Sequence, residues 1–167
     1  VLSLAGLKAN EILAVTQDVL NFSIAGTTDL KTAADALVSI STAFGMGAAG
    51  FGRVSDVVSK AAAESKTSVE SFANAMKTAS VINKQYGVSL EDTATGIAAL
   101  SQLGIEGTAA GTALRNMYAD LSGRSIQVSK VLKAQGIEMR DTVTGGFRPM
   151  IEVVAELNTK LQGLDAI

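Results

Sequence analysis

The amino-acid sequence predicts an all-α protein: a compact bundle of six to eight short helices joined by glycine turns, with one small β-hairpin near 137–148. Three features lead there. Apolar residues recur at helical spacing in almost every segment. Glycine closes nearly every one of those segments, and sixteen glycines stand against a single proline, Pro149. Aromatic residues are only 4% of the chain, and much of its 47% hydrophobic share is alanine. Alanine buries little area per side chain, so such a core depends on close approach between helix backbones. A chain of 167 residues suits one domain over 1–167, with a possible sub-division into 1–66 and 67–167.

The first helix is expected to turn Ile12, Leu13, Thr16, Val19, Leu20 and Ile24 to one face. After Gly26, Asp29 can cap a second helix whose apolar face is Leu30, Ala33, Ala34, Leu37, Ile40 and Phe44, stopping at Gly45. Phe51, Val54, Val58 and Ala61 place a third over roughly 49–65. "TSVE" puts Thr67 at an N-cap with Glu70 three residues on, a capping box ahead of Val69, Phe72, Ala73, Met76 and Ala79. "SLED" repeats the device with Ser89 and Asp92, leading into Leu90, Ala94, Ile97, Ala98 and Ser101 before Gly104. Leu114, Met117 and Leu121 carry a helix that stops at Gly123, and Val128, Val131 and Leu132 one that stops at Gly136.

"GIEMRDTVTGGFRPM" departs from this rule. Ile137 and Met139 alternate before a Thr144-Gly145-Gly146 turn, which reads as the hairpin. Pro149 then suits the first position of a last helix with Met150, Val154, Leu157 and Leu161 inward. "DLKTAADALV", "SVESFANAMK" and "SLEDTATGIA" echo one another at unequal spacing. That is recurring helix-start chemistry rather than a repeat array.

Composition narrows the chemistry. Cysteine, histidine and tryptophan are absent. No thiolate or imidazole can therefore bind zinc or build a Cys–His pair or a Ser–His–Asp triad. The acids, among them Asp18, Asp29, Asp35, Asp56, Glu64, Glu70, Glu91 and Asp92, sit singly at caps or on polar faces. Arg53 with Asp56 and Lys60 with Glu64 read as helix-spaced ion pairs. "DTVTGG" lacks the acid spacing of a calcium loop. Arg115, Arg124, Lys130, Lys133, Arg140 and Arg148 make 115–148 the most basic stretch, but Asp120, Glu138 and Asp141 interrupt it, and Tyr118 and Phe147 are its only aromatics. A nucleic-acid groove calls for a purer basic field with stacking residues. The opening "VLSLAGL" starts at Val with no basic stretch ahead of it, so no signal peptide is visible in it, and the chain reads as a piece of a longer one.

"AFGMGAAGFGRV" contains Gly45, Gly47 and Gly50 in the order G-x-G-x-x-G. A dinucleotide site needs a strand before those glycines. Here the preceding segment has helical spacing, so the expectation is a helix C-cap at Gly45 and a tight turn. No catalytic, cofactor-binding or metal-binding residue is expected, and neither a small-molecule substrate nor a specific nucleic acid.

Three stretches carry a resemblance: "TSVESFANAMKTA" (67–79), "GVSLEDTATGIAALSQLGIEGTAAGTALRNM" (87–117) and "GGFRPMIEVVAEL" (145–157). Together they resemble the core region of phage tail tape measure proteins, the minor tail proteins of long-tailed phages and prophages. The upstream segments fit the same pattern, so the resemblance covers nearly the whole chain. Family members often carry proline shortly after the helix equivalent to 109–121, where Ser122-Gly123-Arg124 stands here. The resemblance implies a structural, non-enzymatic protein of the virion tail, present in the bacterial host cytoplasm during assembly. It implies a role in tail assembly, tail length and genome ejection, with the tail tube protein, tail assembly chaperones and other copies of itself as partners. An alternative is a membrane-active or pore-lining helical module that meets the host membrane on ejection. One unbroken helix of this length would reach about 250 Å. A compact domain has a radius of gyration of roughly 15 Å, and the glycine stops favour that form.

Overall fold

The computed structural model describes residues 6–81, 86–143 and 145–162. Among them are eight α-helices: α1 (Ala9–Gly26), α2 (Leu30–Ala43), α3 (Phe51–Glu64), α4 (Val69–Ser80), α5 (Leu90–Gln102), α6 (Gly107–Ala119), α7 (Ile126–Ala134) and α8 (Met150–Gln162). A 3₁₀ turn (Ala48–Gly50) precedes α3, and a π turn (Asp120–Arg124) links α6 to α7.

Helix starts follow the capping chemistry. The Asp29 carboxylate accepts from the Lys31 and Thr32 amides at 2.9 and 3.0 Å. The Ser89 hydroxyl accepts from the Asp92 amide at 3.0 Å and donates to the Asp92 carboxylate at 2.7 Å. One cap moves by a residue. Ser68, not Thr67, caps α4, accepting from the Ser71 amide at 3.0 Å. Ser68 has the extended backbone that an N-cap needs, while Thr67 lies outside the helix and donates to the Glu106 carboxylate at 2.9 Å. Thr67 thus ties the start of α4 to the start of α6.

The main core joins α1 to α6. Leu37, Ile40, Val54, Val58, Met76 and Ile97 have no exposed surface at all. α1 corrects the expected face: Val15, Val19 and Phe22 enter the core, whereas Leu13 and Ile24 stay 78% and 76% exposed. The reason is rotational. Apolar residues lie on two opposite sides of this helix, and only one side can face α2 and α3. Leu30, at the first position of α2, is likewise exposed. Arg53 turns from Asp56 to Glu91, 2.7 Å away, and links α3 to α5.

A second, smaller cluster holds Leu132, Ile137 and Val153, with Val128, Met139 and Leu157 packed on it. In α8 it is Val153, next to the expected Val154, that turns inward. The Met150 and Leu161 side chains lie outside the described residues, as does Thr144 of the expected turn.

The hairpin near 137–148 is not formed. Among the described residues the segment makes one isolated antiparallel bridge, Arg140 to Phe147, and no strand. The bridge keeps its own two hydrogen bonds, from the Asp141 amide to the Gly146 carbonyl at 2.9 Å and from the Arg148 amide to the Met139 carbonyl at 3.0 Å, but it has no room to lengthen: the Ile137 amide donates back to the Leu132 carbonyl of α7 at 2.9 Å, and the chain is helical again from Met150. At the turn the Asp141 carboxylate folds back onto the Val143 amide at 2.8 Å. A two-stranded ribbon is marginal even when its ladder is complete.

Candidate functional site

The glycine motif lies between α2 and α3, so the chain enters Gly45 from a helix rather than a strand. Each glycine does separate work. Gly45 takes φ +72° and donates to the Thr42 carbonyl at 3.0 Å, closing α2. Gly47 sits at φ +58°, ψ −155°, a region that side chains with a Cβ avoid. Gly50 is buried where space runs out: a Cβ there would lie 2.4 Å from the Met46 Cβ and 2.6 Å from the Ser41 hydroxyl. The Ser41 hydroxyl donates to the Gly47 carbonyl and pins the turn. The motif redirects the chain by 109° between α2 and α3. It is a corner.

The middle stretch of the sequence builds the tightest contact. α4 and α6 run in the same direction, with Gly107 beside Ser71 and Gly111 beside Ala75 and Thr78. A Cβ on Gly111 would sit 2.4 Å from the Ala75 carbonyl oxygen. Ala73, Ala75, Ala79 and Ala110 are buried around this crossing. Small residues let the backbones approach, and dispersion contacts between the two helices replace large side chains.

Charged residues are held locally. Asp29 has its carboxyl below the ordinary value because the Thr32 hydroxyl donates to it at 2.7 Å, with the Thr32 amide adding to the effect. Arg124, 2.7 Å away, does the same for Asp120 across the π turn. Gly123 reaches φ +117° in that turn, a backbone conformation that favours glycine. Glu156 is lowered first by Arg148 at 2.8 Å and then by Lys160 at 3.5 Å. Arg148 also donates to the Glu138 carbonyl at 3.1 Å, and Lys160 to the Gln135 carbonyl. These contacts stitch α8 to the end of α7. The spacing of Arg148 and Glu156, eight residues apart across a helix start, is not a sequence signature.

An open cleft of about 450 Å³ lies between α7 and the bridge, with Leu121, Lys133, Glu138, Met139 and Arg140 on its walls. Arg140 stacks over the Phe147 ring at 4.5 Å and donates to the Gly145 carbonyl at 2.9 Å. Phe147 meets Tyr86 edge-on at 5.0 Å, and Tyr86 stacks on Tyr118 at 6.4 Å. Within the basic stretch Arg124 pairs with Asp120 and Arg148 with Glu156. No three acidic side chains among the described residues converge as a metal site would require.

Comparison with known proteins turns on the same stretches. The family model described as phage-related minor tail protein matches residues 1–166. The chain belongs to that family. Its similarity to the tape measure protein of Pneumococcus phage Dp-1 is 32% identity over 163 residues, 98% of this chain and 14% of the Dp-1 protein. It is 25% identical to the probable tape measure protein of Escherichia phage P2 over 162 residues, 97% of this chain and 20% of the P2 protein. The chain thus spans a small part of the length of these curated relatives. No solved structure matches it. Membership in the phage-related minor tail protein family assigns the chain a structural role in the phage tail, and so to the virion tail. The corner at Gly45–Gly50 and the crossing at Gly111 are the framework of a tail protein.

Proposed function

We propose that residues 1–167 form one folded module of a tape measure protein, acting in tail assembly and tail-length determination and engaged again at genome ejection. The observation that supports this most directly is the similarity, along 98% of the chain, to a protein named as a tape measure. Its partners in this reading are the tail tube protein, the tail assembly chaperones and other copies of itself, met in the host cytoplasm before the tail is complete. The module works by shape and contact, with no bond made or broken. Six short helices folded around one main core, with two more on a smaller cluster, do not extend like a ruler, so the module is a node within the longer protein rather than part of its measuring length.

The test is in-frame deletion of the module from the phage gene, with tails measured by electron microscopy. Failed tail assembly is the expected result. Tails shortened by about 250 Å, the length of 167 residues as a single helix, would make the segment a ruler. Normal, infectious tails would remove the module from tail function.

A second reading, a membrane-active or pore-lining module, draws on α2 and α3. No single helix among the described residues is long and apolar enough to cross a bilayer, but Leu30–Ala43 and Ala48–Glu64 pass together by length and composition. Their apolar faces, including Leu37, Ile40, Val54 and Val58, fill the core, so insertion requires the bundle to open. Leakage from lipid vesicles at low salt supports this reading, and no leakage removes it.

A further inference from the structure

An open groove of about 540 Å³ lies between α3 and α5, with Val57, Ala61, Ala94 and Ala98 on its walls. One lining residue comes from outside the bundle: Ile151, in the first turn of α8. Ile151 stays 45% exposed, so the groove is covered without being filled. α8 belongs to the smaller lobe, which meets the bundle on either side of Pro149. Before the proline, Phe147 stands edge-on to Tyr86 at 5.0 Å, and its amide donates to the Tyr86 carbonyl at 3.3 Å. After it, Ile151 lines the groove and α8 touches α5. The chain passes from bundle to lobe through the π turn, where Gly123 at φ +117° breaks the helical backbone. A Cβ there would find only the Ser129 hydroxyl, 4.0 Å away, so it is backbone conformation rather than space that calls for glycine.

We infer that the lobe is a lid over the α3–α5 groove. It swings as a folded body about Gly123, and Phe147 against Tyr86 is the catch that holds it down. Three observations carry this. Each side has its own core: Leu132, Ile137 and Val153 pack together in the lobe, and Leu121, which touches both cores, sits in the pivot itself. The ion pairs are kept on one side or the other. Arg53 pairs with Glu91 on the groove wall, while Arg148 and Lys160 pair with Glu156 inside the lobe, so parting the two regions breaks none of these. The third is fit. A permanent interface packs to interior density, whereas here apolar walls stand open beneath a half-exposed Ile151. One non-helical residue at the crossing is enough for a hinge, which needs only a few positions to absorb the change in φ and ψ. Opening uncovers the groove and the Tyr86 ring together; closing covers both.

The lid stands on the fold and not on the tail role, so deletion of the module does not test it. The chain has no cysteine, and an introduced thiol therefore reports on its own position. In the full chain, Ala98→Cys in the groove is expected to react with a bulky maleimide at least ten-fold more slowly than Ser39→Cys on the exposed side of α2. Phe147→Ala is expected to raise the Ala98→Cys rate at least ten-fold by releasing the catch. Gly123→Val, unable to hold φ +117°, is expected to turn the lobe aside and raise the rate as well. In both backgrounds labelling of Ser39→Cys and amide exchange within α7 and α8 are expected to stay unchanged. Ala98→Cys with Ile151→Cys is expected to cross-link within one chain through a short bis-maleimide. Labelling indifferent to either substitution overturns the lid, as does the lack of that cross-link. Faster labelling accompanied by faster exchange throughout α7 and α8 overturns it too, because the lobe would then be unfolding rather than swinging.

Discussion

The bundle of α1–α6 and the lobe of α7, α8 and the loop between them are held by different physics. In the bundle two dozen apolar side chains share one core, and small residues bring backbones into direct contact, as Gly111 does with Ala75. In the lobe three buried residues, Leu132, Ile137 and Val153, suffice only with help from charge: Arg148, Glu156 and Lys160 join α8 to the end of α7. The two regions touch through Leu121 and the Tyr86–Phe147 contact. A core of this first kind is intolerant of added volume. The second kind tolerates volume at its open cleft and depends on ionisation.

The contrast is broken most severely at Gly111. Gly111→Val should destabilise the chain by about 3 kcal/mol, because the new side chain meets a carbonyl oxygen that cannot step aside. Urea unfolding followed by circular dichroism measures it, and a near-neutral result would show that the crossing is slack. Leu37→Ala should cost a similar amount, about 3 kcal/mol, through the cavity it leaves in the fully buried bundle. By contrast, Leu132→Ala should speed amide exchange over 126–162 while leaving α2–α6 protected. Uniform loss of protection would mean that lobe and bundle unfold as one.

Acid should act on the lobe through one carboxylate, and on the bundle through Asp29 and Asp120. Arg148 holds Glu156 below its ordinary value, so the folded lobe binds that proton less readily than the unfolded chain does. The stabilisation is present above about pH 4.5 and is lost as pH falls through the lower folded value. Exchange in 126–162 should rise over that range, and Glu156→Gln should flatten the rise. A pH response confined to α2–α6 would contradict the assignment. The smallest expected effect concerns caps. Ser89→Ala should cost about 1 kcal/mol in thermal unfolding, and Ser68→Ala should exceed Thr67→Ala, because the hydroxyl of Ser68 takes the orphan amide.

Several helix starts and stops were legible in the residues, with Asp29 and Ser89 at caps, Gly45 and Gly136 at ends and Gly123 marking the bend after α6, whereas Thr27 and Lys66, not glycines, take positive φ after α1 and α3, and α4 ends at Ser80, well before Gly87. These are local effects, decided within four residues of where they act. The G-x-G-x-x-G corner was legible for the same reason, since the helix leading into it had its own periodicity. The shift from Thr67 to Ser68 was not, because both hydroxyls fit the pattern and Glu106, 39 residues away, decides between them. The hairpin failed because the helices on either side leave it no length, the end of α7 holding the Ile137 amide and α8 starting at Met150.

What the sequence determined alone is the all-α class, the order of the helices, the family and the absence of any thiol or imidazole, because each follows from residue identity and near-neighbour spacing. Tertiary structure alone decided which side of α1 faces inward, where two backbones touch and which carboxylate each arginine finds. A periodic apolar pattern gives a helix its stripes, but only the neighbours it packs against determine which stripe is buried and which stays exposed.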